Sequence, residues 1–126
     1  MPPGHVLIVD DDASVRRALA RLLRAWGYEV EALPDAAAYL GHSTVPPPAC
    51  LVLDISMPAG LGGVALLKSL VGTAQALPAV FITGHGDFEV NREVLAAGAV
   101  DVIYKPLDEH LLVAAIERAL ARSQTV

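Results

Sequence analysis

The chain carries one cysteine, Cys50, so no internal disulfide framework can brace it. Its apolar neighbours read as the surroundings of a buried, inert thiol rather than a reactive one. Long apolar runs are missing too: none approaches the ~18 residues that a membrane span needs. With 54% hydrophobic residues and a mean hydropathy of +0.49, the apolar side chains are therefore expected in a core. Basic charge is scarce. Nine Lys and Arg against fourteen Asp and Glu leave a net charge of −5, which argues against this segment gripping nucleic acid by itself. Met1-Pro2-Pro3-Gly4 lacks the basic start and apolar stretch of a secretion signal, so a cytoplasmic location with no membrane partner is expected. The glycine-rich run Ala59-Gly60-Leu61-Gly62-Gly63 lacks the Gly-x-x-x-x-Gly-Lys-Ser/Thr spacing of a nucleotide cradle and reads as a flexible loop. At 126 residues, a single domain over 1–126 is expected.

What is present alternates regularly. His5–Val9 is an unbroken apolar, β-branched run, the pattern of a strand covered on both faces. The apolar positions from Val15 to Trp26 follow helical spacing, with Arg16, Arg17, Arg21 and Arg24 between them and Gly27 after them. Such arginines are more often a solvated face than a binding patch, although their sign suits an acidic partner. Tyr28–Ala32 alternates as an edge-side strand with one wetter face would. Pro34-Asp35 opens a short helix through about Leu40, and Pro46-Pro47-Pro48 stiffens the connection to a strand at Leu51–Leu53. Val64, Leu66, Leu67, Leu70 and Val71 predict the next helix. Ala79–Ile82 predicts a fourth strand, Phe88–Ala97 a helix closed by Gly98, and Ala99–Tyr104 a fifth strand. Asp108 caps a last helix whose predicted buried face is Leu111, Leu112, Ala115, Ile116, Ala119 and Leu120. Five strand–helix alternations with short connections imply an α/β fold, doubly wound, with parallel strands and helices on both sheet faces.

The polar residues of interest fall just past strand ends: Asp10 and Asp11 after the first, Asp54 after the third, Thr83 after the fourth, Lys105 after the fifth. In a doubly wound sheet these ends meet at the switch point of strand order. Taken alone, Asp54 fits either a reactive carboxylate or a cap on the turn that follows; the convergence favours the reactive reading. Three adjacent carboxylates, Asp10, Asp11 and Asp12, repel one another unless a cation or a helix N-terminus offsets them. Asp12 is explained as a helix cap, whereas Asp10 and Asp11 suit a small divalent cation. Carboxylates from two strand ends, with Lys105 and the Thr83 hydroxyl opposite, make a site suited to Mg²⁺ and a phosphoryl group, where Asp54 could attack phosphorus and Gly84 leaves room.

These residues carry a resemblance. Over essentially its whole length the chain resembles the receiver domain of bacterial two-component response regulators. Val9-Asp10-Asp11, Asp54-x-x-Met57-Pro58, Thr83-Gly84, Ala97-Gly98-Ala99 and Lys105-Pro106 stand in family order and at family spacing. The segments 82–87 and 97–101 are most similar to the subfamily that regulates nitrogen fixation and related processes through a DNA-binding output domain. The resemblance implies a flavodoxin-like (βα)5 fold with strand order 2-1-3-4-5. It implies that Asp54 accepts phosphate from a sensor histidine kinase or phosphotransfer protein. Mg²⁺ would be held by Asp10, Asp11, Asp54 and the backbone carbonyl of Ser56, and the phosphoryl oxygens by Thr83 and Lys105. The bond before Pro106 would be cis. The helix 4–strand 5–helix 5 surface would then switch, controlling an output domain for transcription, or a partner, and a phosphorylation-dependent homodimer. Such a protein is a signalling phosphoacceptor rather than an enzyme, at most phosphorylating itself from small phosphodonors and dephosphorylating itself.

Two departures from the family pattern stand out. The loop after Pro58 runs one residue longer, with Gly63 aligning before the helix start. The aromatic switch position three before the lysine is Val102, which leaves Tyr104, on the same strand face, as the aromatic placed to take over. His85 reads as a solvent-facing loop residue. Other readings fit less well. A phosphatase with an aspartyl nucleophile needs a second carboxylate where Ser56 stands. A flavodoxin-like cofactor carrier needs a phosphate loop where three aspartates stand. A degenerate receiver acting as a protein-interaction module would ordinarily have lost the residues kept here, whereas a stand-alone receiver would keep them and stays open beside one that precedes an output domain.

Overall fold

The computed structural model describes residues 4–54, 63–73, 76–84 and 88–124, the side chains of 88–91 and 124 excepted. The elements alternate throughout: β1 (His5–Val9), α1 (Ala13–Ala25), β2 (Glu29–Leu33), α2 (Ala36–Leu40), β3 (Ala49–Asp54), α3 (Gly63–Leu70), β4 (Ala79–Thr83), α4 (Phe88–Ala96), β5 (Asp101–Tyr104) and α5 (Glu109–Gln124). The sheet has five strands in the order β2-β1-β3-β4-β5, and every pairing is parallel. This is the flavodoxin-like fold that the sequence predicts.

Strand alternation divides the core into two layers. Val6 and Ile8 of β1, Cys50 and Val52 of β3, and Val80 and Ile82 of β4 pack with Leu19 and Leu23 of α1 and Leu112 and Ile116 of α5. Leu7, Val9, Leu51, Leu53 and Phe81 point the other way, onto Tyr39 of α2, Leu66 and Leu70 of α3 and Val94 of α4. The central strands β1, β3 and β4 are buried almost end to end. The edge strand β2 shows a wet face, with Glu29 and Glu31 exposed on either side of buried Val30.

The helix starts follow from local chemistry. The Asp12 carboxylate accepts hydrogen bonds from the Ser14 and Val15 amides, Asp35 from Ala38, and Asp108 from His110 and Leu111. Each satisfies amides that the first helical turn leaves without partners. Gly27 and Gly98 follow α1 and α4 with φ of 97° and 106°, the left-handed conformation that favours glycine.

Several expectations need correction. Val71, expected among the apolar positions of the third helix, lies past the end of α3 at Leu70 and is 69% exposed. β3 begins at Ala49 rather than Leu51: the prolines before it do not stop Ala49 and Cys50 from pairing with His5 and Val6. β5 begins at Asp101 rather than Ala99. Leu111, predicted on the buried face of α5, is 60% exposed, because that face is set by Leu112, Ala115, Ile116 and Ala119 and Leu111 lies at its margin.

Candidate functional site

The sheet's register assembles the site. Val9 pairs with Leu53, so continuing one step puts Asp10 beside Asp54 on adjacent strands, about 5 Å apart along the hydrogen-bonding direction. Asp54 in turn pairs with Ile82, and Thr83 with Tyr104. Four strand ends from distant parts of the chain thus meet at the carboxyl rim of the sheet, where the strand order reverses between β1 and β3.

Oxygen atoms of Asp10, Asp11 and Asp54 all lie within 4.8 Å of one another. Asp10 and Asp54 are 2% and 8% exposed, while Asp11 faces solvent. Burial holds the Asp10 carboxyl above the ordinary carboxylate range; the Asp54 and Asp11 charges push the same way, opposed by the Asp12 amide and by Lys105. The Asp12 N–H donates to Asp10 Oδ1 at 2.9 Å. A set of hard, negatively charged oxygens, two of them withdrawn from water, fits a small divalent cation. Magnesium takes its oxygens at ~2.1 Å, so groups no more than 4.8 Å apart lie within side-chain reach of one shared ion. Lys105 Nζ approaches Asp54 Oδ2 at 3.8 Å and brings the positive charge in from the opposite side. Thr83, 4% exposed, accepts at its carbonyl the Lys105 amide hydrogen at 2.8 Å, which ties β4 to the turn carrying the lysine. The Lys105–Pro106 bond is cis. A side chain at Gly84 would point toward Lys105 Cδ, 3.8 Å away, so its absence keeps the space beside the lysine open.

Two further residues belong to this site without having been singled out for it. The Arg16 guanidinium donates to the Asp10 carbonyl oxygen at 2.8 Å, steadying the backbone of the buried carboxylate; its helical periodicity had put it on a solvated face. Gly63 starts α3 directly against the Asp54 backbone, and a methyl group there would lie 2.6 Å from the Asp54 carbonyl oxygen. Its place at the end of a glycine-rich run, aligned before the helix start, was the only signal available, and its reason is a contact with another element. Ser56, His85 and the loop beyond Pro58 lie outside the described residues. Val102 is buried against Phe81 and Val94, and Tyr104, one alternation further, is 46% exposed.

Known proteins point the same way. The response regulator receiver domain family matches residues 6–117. The transcriptional regulatory protein FixJ of Bradyrhizobium diazoefficiens is 37% identical over 121 residues, covering 96% of this chain and 58% of that protein. Among solved structures, FixJ-N superposes with a TM-score of 0.87 at 38% identity, over 100% of this chain and 98% of that one. The response regulator StyR does so with 0.85 at 41%, over 95% of this chain and 60% of that one. The chain spans little more than half the length of the curated relatives it matches. With the match running from β1 into α5 and the acidic cluster and its lysine on the rim of the same sheet, the chain belongs to the receiver-domain family of response regulators.

Proposed function

We propose that residues 1–126 form one phosphorylatable receiver in which Asp54 accepts a phosphoryl group from a histidine kinase or phosphotransfer protein. The observation that carries this reading is the setting of the Asp54 carboxylate. It lies within 4.8 Å of the Asp10 and Asp11 oxygens and 3.8 Å from Lys105 Nζ. A carboxylate so placed can attack phosphorus in line; a bond forms between an Asp54 oxygen and phosphorus while the bond from phosphorus to the donor's imidazole nitrogen breaks. Asp10, Asp11, Asp54 and the Ser56 carbonyl would hold Mg²⁺, which supplies charge to offset the incoming phosphate. Lys105 carries a compact charge to the phosphoryl oxygens and Thr83 a hydroxyl donor. The acyl phosphate on Asp54 is the signal itself, which makes the chain a signalling phosphoacceptor rather than an enzyme acting on other molecules.

The transcriptional regulators among its relatives support a transcriptional output, reached through the α4–β5–α5 surface and a phosphorylation-dependent homodimer. The phosphoryl group carries a charge of roughly −1.5 to −2 but replaces the carboxylate's own −1, so Asp54 gains roughly −0.5 to −1, biasing a two-state surface. Thr83 pairs with Tyr104 across β4 and β5, so movement of the threonine is felt first at the half-exposed tyrosine, while buried Val102 has no ring to swing. Acetyl phosphate with Mg²⁺ tests the central claim: intact-mass measurement gives one added phosphoryl group in wild type and none in Asp54→Asn. Labelling that persists in Asp54→Asn overturns it.

A further inference from the structure

Four of the nine basic residues of this acidic chain sit on α1. Arg16, Arg17, Arg21 and Arg24 recur at the spacing that stacks side chains along one flank of a helix. They line a groove of about 570 Å³ between α1 and the edge strand β2, with Ala20 and Ala32 among its small lining residues. The flank is distinct from the one facing Lys105 and Pro106, which Val15, Ala18 and Leu22 line. Two of the guanidinium groups are anchored: Arg16 on the Asp10 carbonyl at 2.8 Å and Arg24 on the Val30 carbonyl at 3.0 Å. A carbonyl orients a guanidinium without neutralising it. Among the described residues the ion pairs engage His42, Lys68, Lys105 and Arg118, and none compensates these four charges. The acidic residues of β2 cannot do so. Glu29 and Glu31 alternate with Val30 and Ala32, which face α1, and Glu31 lies toward His42 instead, at 4.0 Å.

We propose that this groove is a binding site for a polyphosphate anion. Arginines presented in a row, partly pre-oriented and, among the described residues, in no ion pair, match phosphate oxygens bidentately. Arg17 to Arg24 spans about 10 Å along the helix axis, so each guanidinium can take one phosphate of a linked run. The small alanines let the chain of phosphates approach the helix closely. Among the described residues no aromatic side chain lines the groove, so the phosphates themselves, and not an attached base, are what it reads.

The test is amide chemical-shift mapping of the metal-free protein at low salt with inorganic tripolyphosphate, ADP, and hexaglutamate as a carboxylate control. The expected result is saturable shifts confined to 13–24 and the β2 amides near Ala32. The double variant Arg17→Gln/Arg21→Gln, whose side chains are exposed, keeps the melting temperature and weakens binding about a hundredfold, about tenfold for each guanidinium lost. Tripolyphosphate binding at least as tightly as ADP, which has one phosphate and at least one negative charge fewer, bears out the phosphate chain as what is read; tighter binding of ADP at the same amides overturns that reading. The proposal is overturned by the absence of saturation, by shifts centred on Thr83 and Lys105, by undiminished binding in the double variant, or by hexaglutamate binding as tightly as tripolyphosphate.

Discussion

Gly63 offers a test of how the acidic rim is held in place. A Cβ at this position lies 2.6 Å from the Asp54 carbonyl oxygen and 3.0 Å from Cε1 of Phe81. An ordinary carbon–oxygen contact is about 3.4 Å, so Gly63→Ala creates an overlap of roughly 0.8 Å. Neither neighbour can yield cheaply: one is the backbone of β3, and the other is the ring of Phe81, fully buried. Gly63 lies outside the positive-φ glycines, so the contact alone, and not backbone strain, carries the effect. Overpacking of this kind costs about 1–3 kcal/mol, and the helix preference for alanine returns at most about 1 kcal/mol. A net loss of about 1–2 kcal/mol corresponds, for a domain of this size, to a fall in melting temperature of roughly 3–10 °C. Because the relief must come from the start of α3 or from the Asp54 peptide, phosphorylation by acetyl phosphate should slow as well. Thermal melts and phosphorylation time courses of wild type and Gly63→Ala measure both. An unchanged or raised melting temperature with an unchanged rate would refute the idea that α3 is wedged against Asp54.

Other outcomes follow from the site and the core. Burial raises the folded-state pKa of Asp10 above its unfolded value, so between the two the native state binds more protons and stability falls as pH rises. Asp10→Asn keeps an oxygen for the Asp12 amide and should therefore melt higher than wild type without metal at pH 7. The difference should shrink toward acid pH, and the stabilisation by Mg²⁺ should be lost; a lower melt at pH 7 would contradict it. Cys50 is wholly buried, and burial pushes its thiol up to about 12, so a thiol reagent should modify it only as fast as the protein unfolds, with rapid labelling of the native protein as the contrary result. For the readout, phospho-driven association should weaken in Tyr104→Ala and strengthen in Val102→Phe, as sedimentation can measure. If neither variant alters it, the aromatic has no part in the switch.

Much of this protein is legible in its sequence because hydrophobic periodicity and strand-end chemistry are local properties. The unbroken, β-branched run His5–Val9 has the pattern of a strand covered on both faces, and Asp12, Asp35 and Asp108 cap helices through amides two or three residues away. Alternating elements with short connections leave a parallel sheet as the economical arrangement, and that sheet alone brings Asp10, Asp54, Thr83 and Lys105 to one rim. What only the tertiary structure decided are the contacts between elements that pattern does not encode. Arg16 belongs to a charged helical stripe by sequence, but its hydrogen bond is to the carbonyl of Asp10, a backbone group that any residue could have offered. Gly63 is one glycine among several until α3 is seen to start against Asp54. Leu111 fits a buried helical face by spacing, yet burial depends on where the sheet and α1 end, and there it faces water. The uncompensated α1 arginines likewise become a groove only because β2 turns its glutamates to the other side of the sheet, a choice made by strand register, which no single segment carries.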